Sequence, residues 1–236
     1  MAGFESWLGE AAERRADKGR PLVSLCYAQS LDGSLTVRRG QPTPLSGAES
    51  TRFTHLLRRA NDAILVGVGT LLADDPLLTA RAPGSSSPQP VILDTHLRAP
   101  SNARLFAQNP KSAWIVCVQP VERERQISLE AAGTQIIALP GDPSGRVDLP
   151  SLLDCLGELK INRLMVEGGA RVITSFLTQD LVDLVVLTIA PVFLGGLRSL
   201  EARLGRIDGA GLVRPRLRQV EYERLGDDLI VWGRLR

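Results

Sequence analysis

The chain predicts an α/β fold in which a mixed, mostly parallel sheet carries helices on both faces and ends in an antiparallel pair of strands. Two observations predict it. Short apolar runs of the kind buried on both faces of a parallel sheet alternate with stretches of helical spacing. The last third then changes period, because residues 217–224 and 229–235 alternate or run apolar with no helix between them.

Taken in order, the first strand is read at residues 22–27, followed by a polar turn through Ser30, Leu31, Asp32 and Gly33, where glycine accepts positive φ. Residues 38–44 must be loop, since two prolines and a glycine defeat a regular element. Ser46 with Glu49 three positions on makes a capping box, and the helix it opens runs to Ala60 with Phe53, Leu56 and Leu57 at helical spacing. Residues 63–66 form a buried strand, 70–73 a single helical turn, and 83–90 a Ser/Pro/Gly loop. Further strands are read at 91–93, 113–118 and 135–138. Asp148 caps a helix with Pro150 in its first turn that continues to Lys160. A strand at 163–166, a turn at Gly168 and Gly169, a helix at 170–179 and a strand at 184–190 complete the alternation.

At 236 residues, with 44% apolar and 23% charged, the chain has the composition of a soluble globular protein. A chain of this length buries about 70–75% of its unfolded surface, so its core needs no staples. The 28 basic and 26 acidic residues leave a net charge of only +2, which points away from nucleic acid and membrane partners. Three scattered cysteines without a CxxC pair, and two histidines, assemble no zinc site, so no metal is expected. Cys26 and Cys117 sit in apolar runs and read as core residues, in keeping with a reducing, cytoplasmic setting. No run of about 18 apolar residues is present to span a bilayer. Residues 1–20 are charged and lack a signal-peptide core; with Phe4, Trp7 and Leu8 on one side they predict a helical arm, leaving one domain over 21–236.

Two glycine turns carry the candidate chemistry. Gly67, Val68, Gly69 and Thr70 follow one buried strand, and Glu167, Gly168, Gly169 and Ala170 follow another. Each presents backbone N–H groups at a helix start on the carboxyl side of the sheet, where a phosphate is favoured. Each serves equally well as a tight strand–helix connection, because the first lacks the third glycine of the dinucleotide fingerprint and no Walker lysine follows. Asp74 and Asp75 precede Pro76, and the residue before proline avoids the helical region, so the two carboxylates must point differently. One suits a ribose or nicotinamide hydrogen bond and the other helix-end chemistry. Arg58 and Arg81 flank this element and suit a substrate phosphate, although an arginine there serves as readily as a solvated surface group. His55 and His96 read as satisfied or solvated rather than catalytic.

Five segments in order carry a resemblance: residues 27–33 (YAQSLDG), 69–81 (GTLLADDPLLTAR), 91–94 (VILD), 166–170 (VEGGA) and 189–196 (IAPVFLGG). Together, over residues 21–235, they resemble the reductase domain of the bifunctional riboflavin-biosynthesis deaminase/reductase. The resemblance implies a three-layer dihydrofolate-reductase-like fold, a homodimer and NADPH as cofactor. It implies reduction of the ribosylamino group of a pyrimidinone 5′-phosphate to the ribitylamino form, by hydride delivered to an imine at the opened sugar's first carbon. Carried over by position, Ala28, Thr70, Asp74, Gly168, Gly169, Ala170, Arg171, Val172, Ile173, Thr174 and Ser175 hold NADPH, with Thr95 near the adenosine end. Arg58, Leu78, Arg81 and Glu167 line the substrate, a small phosphorylated ribosyl-pyrimidine, and Glu167 with Asp74 places the accompanying proton. The zinc elements of the deaminase half are absent from this sequence, so a stand-alone reductase is expected. The chain departs from the family in two places. Cys26 stands where many members have lysine, and Pro42 and Pro44 stand where many have the serine and tryptophan of a Gly-Glu-Ser-x-Trp loop. A pterin or folate reductase of the same fold, and a non-catalytic nucleotide-binding regulatory protein, are the competing readings.

Overall fold

The computed structural model describes residues 19–81, 86–208 and 211–235. The arm expected over residues 1–20 lies outside the described residues up to residue 18, as do residues 82–85 of the loop expected at 83–90. β1 (Leu22–Ser30) and β2 (Ser34–Thr36) precede α1 (Ala48–Ala60), and strands and helices then alternate. They run β3 (Ala63–Gly67), α2 (Val68–Asp74), β4 (Gln89–Leu93), α3 (Arg104–Gln108), β5 (Trp114–Val118), α4 (Arg123–Ala131) and β6 (Gln135–Leu139). α5 (Leu149–Glu158), β7 (Arg163–Val166), α6 (Ala170–Thr178) and β8 (Leu184–Ala190) follow. The remainder is strand: β9 (Leu197–Arg198), β10 (Arg206–Asp208), β11 (Gly211–Val213), β12 (Leu217–Leu225) and β13 (Asp228–Leu235). The chain divides into two compact units, one built mainly from Thr54–Met165 and the other from Val23–Phe53 with Val166–Arg236.

In the first unit β3, β4, β5 and β6 pair in sequence order, all parallel, with β7 beside β3. Ile64, Leu65, Val91, Ile92, Ile115 and Val116 are wholly buried, as continuously apolar parallel strands require. Asp62 sets the level at which three strands begin. Its carboxylate accepts the backbone N–H of Asn162 at 2.9 Å and of Arg163 at 3.0 Å, and its carbonyl accepts Gln89 N–H at 2.8 Å. The Arg163 guanidinium returns to the same carboxylate at 3.1 Å. With β3, β4 and β7 aligned at their starts, their carboxyl ends open on one side.

In the second unit the order is β12, β13, β8 and β1, with β1 parallel to β8 and the other two pairings antiparallel. The C-terminal antiparallel pair is the one read from the change of period. Asp183 plays the part here that Asp62 plays in the first unit: its carboxylate accepts Val23 N–H at 2.9 Å and its carbonyl accepts Leu235 N–H at 3.0 Å. The fold class is as expected, with mostly parallel strands, intervening helices and an antiparallel end.

Two local differences stand out, and the first has a clear cause. α1 starts after Gly47, one residue later than the Ser46/Glu49 capping box implies, because Gly47 N–H is taken by the Asp228 carboxylate at 2.8 Å and its carbonyl accepts Thr51 N–H. β4 begins at Gln89 and includes Pro90, which pairs opposite Ile64. By contrast, Asp148 caps α5 as read, its carboxylate accepting both N–H and hydroxyl of Ser151, with Pro150 in the first turn.

α5 packs closely on the described start of the chain. A Cβ added at Gly157 would lie 1.9 Å from the Gly19 carbonyl oxygen and 3.2 Å from Arg20 Cα, and backbone atoms cannot swing aside. Gly157→Ala is therefore expected to cost about 1–3 kcal/mol of stability despite alanine's better helix propensity. Urea unfolding measures this, and an unchanged or raised midpoint would contradict the close approach.

Candidate functional site

In the first unit the β3–α2 turn delivers Thr70 and the two adjacent aspartates. Gly67, extended at φ −79° and ψ 153°, leads into α2 without a side-chain cap, and Thr70 is half-buried in the first turn. At the other end Asp75 turns left-handed, φ 40°, its N–H closing onto the Leu71 carbonyl at 3.0 Å. Its carboxylate accepts Arg104 N–H at 3.0 Å, where α3 begins. The pair of carboxylates is thus divided, with Asp75 spent on joining two helix ends. Asp74 takes no such bond among the described residues, and partial desolvation pushes its carboxyl pKa up.

The loop after α2 returns against α1. The Thr79 carbonyl accepts the Arg58 guanidinium at 3.2 Å and lies 3.1 Å from His55 Nδ1, which in turn lies 3.3 Å from Arg81 N. Nδ1 donates to the carbonyl in one tautomer and accepts the Arg81 N–H in the other, so His55 is a fastener for this loop. The same contacts bring Arg58 and Arg81 to one short stretch of chain. Leu78, left-handed at φ 53°, buries its side chain among Ile64, Leu71, Ile92 and Leu105, which leaves its backbone for any contact outside the core.

Beyond the carboxyl ends of β4 and β5 lies a half-open cleft of about 250 Å³. Thr95, His96 and Leu97 form one wall, and Gln119, Pro120 and Glu122 contribute to the other. Cys117 lies within it, its thiol pushed up by burial and then by the Asp94 charge. The cleft lies on the carboxyl-end side of the strands, the side on which open α/β sheets bind ligands.

In the second unit Ala28 sits half-buried on β1 opposite Thr188 of β8. Cys26, two residues earlier, is fully buried; its thiol is pushed well up by burial and further by Glu167. Glu167 leads into the second glycine turn. A Cβ at Gly168 would lie 2.4 Å from the Val172 Cβ, so only glycine lets the turn pass so close to the start of α6. Gly169 is the N-cap of that nine-residue helix and supplies no side-chain acceptor, leaving the first-turn amides uncapped from the side-chain direction. Ala170 and Ile173 bury their side chains in the core, while Val172 and Ser175 are half-buried. Thr174 Oγ1 accepts Glu201 N–H at 2.9 Å, and the Glu201 carboxylate lies 3.6 Å from the Arg171 guanidinium and is also paired with Arg39. The loop carrying Pro42 and Pro44 is therefore tied through Arg39 to the start of α6 by one glutamate.

Sequence reasoning left Asp32, Glu201, Asp94 and Arg125 without roles. Asp32 is the most constrained of them. Its carboxylate receives the hydroxyls of Ser30 and Ser34, each at 2.7 Å, and the N–H groups of Leu194 and Gly195, each at 2.9 Å. Those bonds hold its pKa far below the usual carboxylate range, the Ser30 hydroxyl contributing most. The signal available in the sequence was a serine two residues to either side of the aspartate.

A family model described as the RibD C-terminal domain matches residues 21–231. The chain is 38% identical over 219 residues, 90% of its length and 97% of the relative's, to the 2,5-diamino-6-ribosylamino-4(3H)-pyrimidinone 5′-phosphate reductase of Methanothermobacter thermautotrophicus. It is 36% identical over 222 residues to the riboflavin biosynthesis protein RibD of Aquifex aeolicus, of which it spans 57%. Among solved structures it is similar to the riboflavin biosynthesis reductase Rib7 of Saccharomyces cerevisiae, with a TM-score of 0.73 and 28% identity over 93% of this chain and 91% of that one.

The Asp32 cluster has a pH signature. Its folded pKa lies below the unfolded value of about 3.9, so the stability it supplies is complete above that value and is lost as pH falls towards the folded one. The stability gap between the wild type and Asp32→Asn is expected to be constant above about pH 5 and to narrow progressively below about pH 4. Denaturant unfolding from pH 7 to pH 3 measures it, and a gap that keeps its full width at pH 3 would remove the ionised carboxylate from the explanation.

Proposed function

The chain belongs to the RibD C-terminal domain family, and we propose that it is an NADPH-dependent reductase of riboflavin biosynthesis. It reduces the ribosylamino group of a pyrimidinone 5′-phosphate to the ribitylamino form. The observation that carries this reading is the likeness, over nearly the whole of both chains, to a stand-alone reductase of that name. The part of the longer RibD relative that the chain spans is consistent with it.

The residues present fit a nicotinamide dinucleotide. The start of α6 offers uncapped amides behind a glycine that no larger residue can replace, which suits a pyrophosphate. Gly168 to Arg171 would hold it by backbone, Val172 to Ser175 would support that turn, and Ala28 is assigned beside them; in the first unit Thr70 and Asp74 are assigned to the cofactor. Thr95 and the cleft beyond β4 and β5 would take the adenosine end, a volume of about 250 Å³ suiting one end of a dinucleotide. When bound, the nicotinamide supplies the hydride.

The chain's own residues orient and protonate. Arg58 of α1, whose guanidinium meets the Thr79 carbonyl, and Arg81 of the following loop, whose N–H meets His55, are assigned to the substrate phosphate, where guanidiniums give charge-assisted bonds. Leu78 is assigned to the same site through its backbone. Glu167 is assigned a substrate hydrogen bond, and either it or Asp74 places the proton that accompanies reduction. The raised pKa of Asp74 favours a carboxyl able to hold a proton nearer neutral pH than a solvated aspartate does. Three free cysteines support a reducing, cytoplasmic setting, and the family resemblance supports a homodimer.

The test follows NADPH absorbance while the deaminated ribosylaminopyrimidine phosphate, its undeaminated form and dihydrofolate are offered in turn. Oxidation with a ribosylaminopyrimidine phosphate and none with dihydrofolate is expected. Arg58→Ala and Arg81→Ala are each expected to raise the KM for that substrate by about tenfold or more, the worth of a charge-assisted bond. Glu167→Gln is expected to lower kcat by about 10²-fold or more if it handles the proton. Oxidation driven only by dihydrofolate would replace this reading with the pterin one, and NADPH binding without oxidation by any of the three would leave a non-catalytic nucleotide-binding protein.

A further inference from the structure

Leu97 holds a left-handed backbone at φ 50° although it is a leucine with a fully buried side chain. An L-residue of that size adopts such a conformation only where its surroundings over-determine it, and such residues cluster at ligand clamps. The surroundings here are explicit. Asp94, itself wholly buried, accepts Ala99 N–H on Oδ2 at 2.7 Å, and its carbonyl accepts Leu97 N–H at 3.1 Å. From the other side Arg125 on α4 donates from Nε and Nη2 to the Leu97 carbonyl at 2.9 and 2.7 Å, and from Nη2 to the Ala99 carbonyl at 3.2 Å. Arg98, between these two carbonyls, points outward and reaches the Asp94 carboxylate only loosely, at 3.8 Å.

The segment so clamped forms one wall of the cleft beyond β4 and β5, through Thr95, His96 and Leu97. The opposite wall runs from Gln119 to Glu122 and passes directly into α4, the helix that carries Arg125. Arg125 does not line the cleft; it ties the two walls to each other. A guanidinium is suited to this, because its planar fork reaches two carbonyls at once and keeps its charge at any working pH.

We propose that Arg125 is a positioning residue for the nucleotide end of the cofactor, holding the strained Thr95–Leu97 wall at the spacing that the adenosine moiety requires. This rests on the reading of the cleft as the adenosine end of the NADPH site. A wall ordered before the ligand arrives spares the binding step the cost of ordering it. Without the clamp the left-handed turn relaxes, the walls separate, and affinity for the nucleotide falls while the chemistry at the far end of the cofactor is untouched.

The test is calorimetric titration of the full chain with 2′,5′-ADP, alongside steady-state kinetics, for wild type, Arg125→Met and Arg125→Lys. Methionine keeps an apolar stem of similar length and removes all three hydrogen bonds. Arg125→Met is expected to weaken 2′,5′-ADP binding by about tenfold and to raise the KM for NADPH by a similar factor. The kcat at saturating NADPH is expected to change by less than about twofold, and Arg125→Lys, with one donor regained, to fall between the two. Arg125→Met that binds 2′,5′-ADP as the wild type does overturns the clamp alone. A parallel fall in kcat with an unchanged KM also overturns it, by showing a general structural role. If Arg125→Met does not fold, Arg125→Lys decides, since binding equal to the wild type's overturns the proposal. A wild type that fails to bind 2′,5′-ADP overturns the cofactor reading of the cleft, and this inference with it.

Discussion

The structure depends on one interaction made many times: an aspartate carboxylate that accepts backbone N–H groups where a strand meets a loop. Asp62 and Asp183 align the starts of strands in this way, Asp94 and Asp75 fasten the chain beyond the ends of β4 and α2, and Asp32 gathers two loops at once. The physics is simple. N–H groups at strand and helix ends have no ladder partner, and leaving one buried and unmet costs about 1–3 kcal/mol. A short carboxylate meets one or more of them from a fixed position and binds more strongly than a neutral acceptor. The depressed pKa of Asp32 is the electrostatic trace of the Ser30 hydroxyl first and of the Leu194 amide next.

This pattern gives meaning to the exception. Asp74 and Asp75 are adjacent and chemically identical, yet the structure spends Asp75 on Arg104 N–H and leaves Asp74 partly desolvated with a raised pKa. A carboxyl that is partly desolvated and has no amide partner is easier to protonate than one held by backbone N–H groups. Glu167 stands beside the buried Cys26 in the second unit and adds to the burial that pushes its thiol pKa well up. The loop that carries Pro42 and Pro44 is held by its own bonds. Thr36 Oγ1 bonds Thr43 Oγ1 at 2.8 Å and the Gln41 carbonyl, and Arg39 pairs with Glu201.

Much of the fold was legible because its signals are strong and local. The continuously apolar runs at β3, β4 and β5, the Asp148–Pro150 start of α5 and the period change before β12 each have a direct physical cause that no tertiary contact overrides. α3 and α4 were not legible. α3 has five residues, and α4 buries only Leu129, so neither offers a repeating apolar face. The one-residue error at the start of α1 has a long-range cause, Asp228 lying 181 positions from the Gly47 amide it holds. Candidate site residues can be named from the sequence where glycine or charge marks a turn, as at Gly168, Asp74 and Arg81. They cannot be named where a residue acts through a backbone far along the chain, as Arg125 does on Leu97.

The central claim is that this chain moves a hydride from a reduced nicotinamide to the sugar carbon of a ribosylaminopyrimidine phosphate. The most direct measurement of it is the fate of a label. With NADPH carrying deuterium on each face of the nicotinamide C4 in separate reactions, the isolated ribityl product is analysed by mass spectrometry and NMR. One of the two cofactors should yield a product with a single deuterium at the first ribityl carbon, and the other an unlabelled product. An unlabelled product from both, or label at any other carbon, would contradict it.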